Sequence, residues 1–206
     1  MSPNVRASRL AVAAAMIACA IASAAGAGQP AWRSLFNGKD LSGWRAVGKA
    51  KWIVSDGMLV GTQGDEGQAG DLLTTESFAD FELSVTFKCQ WPCNSGVWFR
   101  YQNGRIAYQA DVLEWKNPVC WTGTLYCPPK MFLAMNKDPK LVKKDDWNTF
   151  LIGARGDHLT IDLNGTRVAD VHDDLSDRGA IGFQVHAGEA FKNMKITVKE
   201  VKLRPL

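Results

Sequence analysis

The stretch Phe81-Glu82-Leu83-Ser84-Val85-Thr86-Phe87-Lys88 sets apolar and polar residues in strict alternation. Successive side chains of a strand point to opposite faces, so this period predicts a strand with one face buried and one wet. The same alternation recurs in Leu159–Leu163, where Thr160 and Asp162 separate three apolar residues, and in Ile196–Lys199. Beyond the first residues, no long window carries the i, i+3, i+4, i+7 apolar stripe of a helix. Ser55-Asp56-Gly57 and Asn164-Gly165 each lie between two such runs and are tight hairpin signals. Many short strands joined by glycine turns predict an all-β fold, an antiparallel sandwich of the jelly-roll kind. With no internal repeat, Pro-rich linker or low-complexity stretch, one domain over residues 32–204 accounts for the chain.

The N-terminus departs from this pattern. Arg6 and Arg9 precede an apolar run from Leu10 to Ala22, and Ala25-Gly26-Ala27 fits a small-residue cleavage site. Residues 1–27 therefore read as an export signal, placing the protein in the periplasm or outside the cell. The run is too short and too rich in alanine for a stable membrane anchor, which needs about 20 strongly apolar residues. Removing Arg6 and Arg9 leaves 22 basic residues against 21 acidic ones, a formal charge of +1. That near-neutrality gives no electrostatic case for nucleic acid as a partner. Cys89, Cys93, Cys120 and Cys127 would remain in the exported chain, an even number that favours disulfides. Two bridges allow three connectivities; the local pairs Cys89–Cys93 and Cys120–Cys127 are preferred. The alternative, a zinc site, lacks the usual ligand spacing and a neighbouring histidine.

Two segments read as loops, Thr62–Gly70 and the proline-containing Trp115–Lys144. Connections longer than about 12 to 15 residues in a compact domain are usually functional or disordered, and the second is expected to wall a binding cleft. Trp91, Trp115 and Trp121 lie in or beside loops and suit stacking on a sugar, whereas Trp52, Trp98 and Trp147 read as structural. In Tyr108-Gln109-Ala110-Asp111-Val112-Leu113-Glu114, Gln109 and Asp111 share one strand face with Leu113. Glu114 falls on the Tyr108 face unless a bulge brings it round. Gln184 and His186 share a face in Gly182–His186, and imidazole is the natural proton carrier near neutral pH. His158 and His172 read as surface residues. Arg100 alternates with Phe99, so it faces the cleft if Phe99 faces the core, where its charge would hold an oxyanion or sugar hydroxyls.

A longer series of signatures runs through the chain in order. It comprises Leu35-Phe36-Asn37-Gly38-Lys39, Leu41-Ser42-Gly43-Trp44, Asn94-Ser95-Gly96 before Val97–Arg100, and Tyr108–Glu114. Thr122-Gly123 before Tyr126, Trp147-Asn148, Asn164-Gly165, Gly182–His186 and Phe191-Lys192-Asn193 complete it. The series closely resembles the 3-keto-disaccharide hydrolase family across residues 32–204. That resemblance implies a concanavalin-like sandwich and a substrate whose glucosyl 3-hydroxyl a separate sugar 3-dehydrogenase has already oxidised. A C3 ketone acidifies the C2 proton, so the aglycone can leave from C1 by elimination and water then adds.

On this resemblance Asp111, Glu114 and His186 are the catalytic candidates. Asn94, Arg100, Gln109, Trp115, Trp121, Tyr126 and Gln184 are the substrate-binding ones. Arg100 or a divalent cation would stabilise the C3 oxyanion; a carboxylate–imidazole site suits such an ion, and no other cofactor is indicated. The chain departs from the family's Glu-x-Gln-x-x-Asp by reading Gln109-x-Asp111-x-x-Glu114. The segment also resembles the Glu-x-Asp-x-x-Glu of laminarinase-type glucanases, but Gln109 replaces their nucleophile, and an amide cannot form a glycosyl ester. A third reading is a lectin-like carbohydrate-binding domain, since this fold hosts many.

Overall fold

The computed structural model describes residue 1, residues 30–144 and residues 146–206; the expected export signal lies, apart from Met1, outside them. In chain order the first strands are β1 (Arg33–Ser34), β2 (Trp44–Gly48), β3 (Lys51–Ser55), β4 (Met58–Thr62), β5 (Gly70–Thr74), β6 (Phe81–Gln90) and β7 (Asn94–Asn103). There follow β8 (Ile106–Lys116), β9 (Val119–Cys127), β10 (Met131–Asn136), β11 (Asn148–Arg155) and β12 (His158–Leu163). The chain ends through β13 (Thr166–His172), β14 (Ala180–Val185) and β15 (Lys195–Pro205).

These strands form two antiparallel sheets, as the alternation predicts. The back sheet runs β13-β12-β11-β6-β15-β4-β3, with β1 paired to β15; the front sheet runs β10-β9-β8-β7-β14-β5-β2. Phe81, Leu83, Val85 and Phe87 of β6 point into the sandwich, where Phe87 meets Phe150 with ring centroids 4.8 Å apart. The front sheet answers with Val97, Phe99, Tyr108, Ala110, Val112, Phe183 and Val185. Burial of these apolar faces is the main force holding the sheets together. Both expected hairpins are present: Asp56-Gly57 joins β3 to β4 and Asn164-Gly165 joins β12 to β13, all four at positive φ.

The segment Trp115–Lys144 is not a long loop. It contains the whole hairpin β9–β10, which extends the front sheet beyond β8. Pro118, Pro128 and Pro129 fall in the two turns that bound β9, so they punctuate strands rather than signal irregular chain. The cysteine pairing also needs correction. Cys89 and Cys93 are bonded, but Cys120 and Cys127 are free and buried. The latter two occupy one strand, with roughly 23 Å of extended backbone between them. A disulfide needs Cα atoms within about 7 Å, and the odd separation sends the two side chains to opposite faces.

Candidate active site

The outer face of the front sheet carries a second, smaller apolar cluster of Leu73, Trp98, Ala107 and Ala180, flanked by Tyr101 and Tyr126. Beside it the polar residues expected from sequence converge. Asn94 and Gly96 on β7 pair with Leu113 and Asp111 on β8, and Gln184 on β14 pairs with Gly96 from the other side. The hydrogen bond from His186 N to Asn94 O, 3.2 Å, places the imidazole at the end of this row.

Together these residues border a cavity of about 210 Å³, with Asn94, Gln109, Asp111, Gln184 and His186 as its polar lining and Trp115, Tyr126, Met131 and Phe132 among its walls. Six of the ten sequence candidates are thus brought together with His186: Asn94, Gln109, Asp111, Trp115, Tyr126 and Gln184. Gly96 makes room for this assembly. A Cβ there would stand 2.5 Å from Gln109 Cγ and Cδ, so the Gln109 side chain can lie over β7 because residue 96 has none.

Two features give the cavity chemical potential. Asp111 is buried, and burial alone pushes its carboxyl well above the ordinary carboxylate range. Gln109 Nε2 is buried without a hydrogen-bond acceptor among the described residues. An unsatisfied buried donor costs roughly 1–3 kcal/mol, which a ligand oxygen would offset on binding. His186 is exposed; its Nδ1 lies 2.8 Å from Ala187 O, and its ring meets Phe191 edge-on at 5.8 Å. Gln63 Nε2 donates to the carbonyls of His186 and Gly188, fixing the turn that presents the imidazole.

Three sequence candidates lie elsewhere. The β7–β8–β9 register runs without a shift past residue 111, so no bulge turns Glu114 toward Asp111. Glu114 sits instead on the other face, half exposed, 2.5 Å from Lys144 Nζ. Arg100 does not reach the cavity. A register shift after Phe99 and its own φ of 47° turn it inward, where it is fully buried. There it donates to the carbonyls of Ala79, Gly156 and Ser176 and pairs with Asp80 at 3.0 Å, a structural clasp between sheet ends. Trp121 also lies outside the polar cavity, beside Glu114 in a neighbouring trough. His158 and His172 are surface residues as expected, stacked at 4.8 Å and each facing an aspartate.

Asp71 was not among the candidates. It extends the polar row, opposite Gln184, and accepts a 2.8 Å hydrogen bond from Trp98 Nε1; burial raises its carboxyl and that bond partly counters the rise. Its strand reads Asp71-Leu72-Leu73, with both leucines buried on opposite faces, so no alternation exposed it. Trp98, read as structural, is the ring that holds Asp71. Phe132 and Met131 were hidden by the loop reading of β10. Among the described residues no three His, Cys, Asp or Glu side chains converge to hold a metal ion.

Among solved structures, the fold is shared with a candidate glycosyl hydrolase from Parabacteroides distasonis ATCC 8503, at TM-score 0.66 and 21% identity over 85% of this chain and 94% of that one. It is shared too with a Bacillus subtilis protein of unknown function with a galectin-like fold, at TM-score 0.65 and 15% identity over 85% and 94%. A Bacillus subtilis carbohydrate-binding module follows at TM-score 0.53 and 18% identity over 79% and 95%. In sequence, a 3-keto-disaccharide hydrolase of Bacteroides thetaiotaomicron is 33% identical over 78 residues, 34% of this chain and 27% of that protein. The match thus spans about a quarter of that relative's length. Finally, the sequence profile of the 3-keto-alpha-glucoside-1,2-lyase-like domain matches residues 31–197, and with four-fifths of its length so matched the chain belongs to that family.

Proposed function

We propose that this protein is an exported enzyme that cleaves 3-keto-glucosides, including 3-keto-disaccharides, by elimination followed by hydration. The observation that carries the reading is the pairing of a buried carboxyl of raised proton affinity on Asp111 with the unsatisfied donor of Gln109 on the same strand face. An enolate chemistry needs these two functions: a group whose proton affinity approaches that of the carbon acid, and a donor aimed at the oxygen that gains charge.

In this mechanism ionised Asp111 takes the C2 proton while Gln109 Nε2 donates to the C3 oxygen. Collapse of the enolate forms the C1–C2 double bond and breaks the bond from C1 to the aglycone oxygen. Protonated His186, at the cavity rim, gives that oxygen its proton. Water then adds its oxygen to C1 and its proton to C2, and free 3-keto-glucose leaves. Neither Glu114 nor Arg100 is required. Asn94 and Gln184 supply amides for the sugar hydroxyls, and membership of a 1,2-lyase-like family supports the elimination step. A sugar 3-dehydrogenase chemistry must act upstream, because the ketone is the source of C2 acidity.

Turnover of a 3-keto-glucoside beside its unoxidised parent tests the reading. The expected result is cleavage of the keto form, slowed by deuterium at C2 with loss of the label to solvent. Equal turnover of both sugars would instead favour a glucanase, and saturable binding without turnover a lectin.

A further inference from the structure

A second depression of about 850 Å³ adjoins the polar cavity at the strand ends. Trp91, Trp115, Trp121 and Phe191 line it, with Pro92, Val119 and Ala190 filling the spaces between the rings. These aromatics come from separate parts of the chain. Trp91 lies in the turn between β6 and β7, which the Cys89–Cys93 disulfide closes; Trp115 and Trp121 lie on the paired strands β8 and β9, Trp121 opposite Glu114; Phe191 follows β14. Trp115 belongs to both depressions, and the ring of Phe191 touches that of His186. The trough therefore begins where His186 would protonate the departing oxygen.

Its polar side chains are Glu114, Lys116 and Asn117, all from the end of β8 and the turn after it. Glu114 and Lys144 are bound to each other at 2.5 Å, and the Lys144 ammonium lies 5.6 Å from the Trp91 ring centroid. Trp91 Nε1 is occupied by Lys144 O at 3.1 Å, and Trp115 Nε1 by Asn117 O at 2.9 Å. A second sugar would bring several hydroxyls needing partners, and here two of the three indole donors and the Glu114–Lys144 pair are already engaged, leaving Trp121, Lys116 and Asn117 at the margin of a mainly aromatic surface. A flat apolar ring would lose only its water and gain stacked faces.

Resting on the keto-glucoside reading, the geometry points to this trough as the leaving-group subsite, selecting glucosides whose aglycone carries an aromatic ring. The polar cavity holds the oxidised sugar, and the trough holds the arene joined to it through the glycosidic oxygen.

Benzyl and methyl 3-keto-glucosides test this, because benzyl alcohol and methanol are leaving groups of similar basicity and differ in the ring. The expected kcat/KM is about tenfold higher for the benzyl substrate, the scale of one well-placed aromatic contact. That preference should vanish in Trp91→Ala while methyl-glucoside turnover persists. Equal kcat/KM for the two substrates in the native protein overturns the subsite, with the keto-glucoside reading intact. Turnover of neither overturns the keto-glucoside reading itself. Binding of free benzyl alcohol, read by tryptophan fluorescence, then still judges the trough: saturable quenching that Phe191→Ala abolishes supports it, and its absence overturns it.

Discussion

Gln109 lies across the bare backbone of Gly96, with its Cγ and Cδ 2.5 Å from where a β-carbon at 96 would stand. The glycine therefore sets the position of the amide in the polar cavity, and this contact is directly open to mutation. Gly96 is in extended conformation, so Gly96→Ala carries no penalty of a left-handed backbone. The added methyl must instead push Gln109 aside. A shift of about 1 Å in a positioning group can cost on the order of a hundredfold in rate. We expect kcat/KM to fall by about that factor, while Gln109→Ala in the same background costs little more. Steady-state kinetics on the single and double variants decide it; additive losses would show that Gly96 acts elsewhere.

Asp111 should trade stability for activity. Its folded-state proton affinity is raised, so the folded protein holds a proton that the unfolded chain releases, and stability falls as pH rises from the ordinary carboxylate value to the raised one. Asp111→Asn removes that penalty. We expect its thermal midpoint at pH 7 to match or exceed that of the native protein, with the advantage gone near pH 3. Catalysis should drop by at least about a hundredfold. The native rate should rise with pH on a limb displaced above the usual carboxylate titration, because the base must be ionised. A limb near pH 4 would remove Asp111 from the role.

Arg100 and Glu114 should behave as parts of the frame. Arg100→Met leaves three backbone carbonyls without their donor, and each buried polar group so stranded costs roughly 1–3 kcal/mol; the half-exposed Asp80 can turn to water. Denaturant unfolding should show that loss, with activity per folded molecule retained at low temperature. Glu114→Gln breaks one exposed ion pair and should change stability by less than about 1 kcal/mol. Its turnover of 3-keto-glucosides should stay within about twofold of native; a larger fall would return Glu114 to the mechanism.

The thiol count offers a test independent of catalysis. Cys120 and Cys127 are buried, and burial raises both thiols, so neither should react with a thiol reagent in the native protein. Unfolded without reductant, a chain beginning at residue 28 should expose two thiols, and four after reduction. Zero before reduction would mean a second bridge.

The inward and outward assignment of side chains was legible because the pleat is short-range: Gln109 and Asp111, or Gln184 and His186, needed only a period of two. The reach of Arg100 was not legible, because one backbone angle after Phe99 overrides that period. Glu114 depended on whether a bulge intervened, and nothing local in Val112-Leu113-Glu114 reports one. Asp71 stayed hidden because its neighbours Leu72 and Leu73 are both buried, one in each apolar cluster. The hairpin β9–β10 was obscured by its prolines, which mark turns as readily as loops.

Three polar residues of the cavity have core residues as both chain neighbours: Asp111 stands between Ala110 and Val112, Gln109 between Tyr108 and Ala110, Gln184 between Phe183 and Val185. Cavity-lining and core-forming positions are thus interleaved letter by letter. The two faces can diverge independently through point substitutions, since a new amide or acid on the outside leaves the packing untouched. Deletion of a single codon in β8 or β14 would exchange the two sets, burying the acid and exposing the phenylalanine or valine. Length variation in this lineage should therefore be confined to the turns, leaving β8 and β14 to diversify by substitution alone.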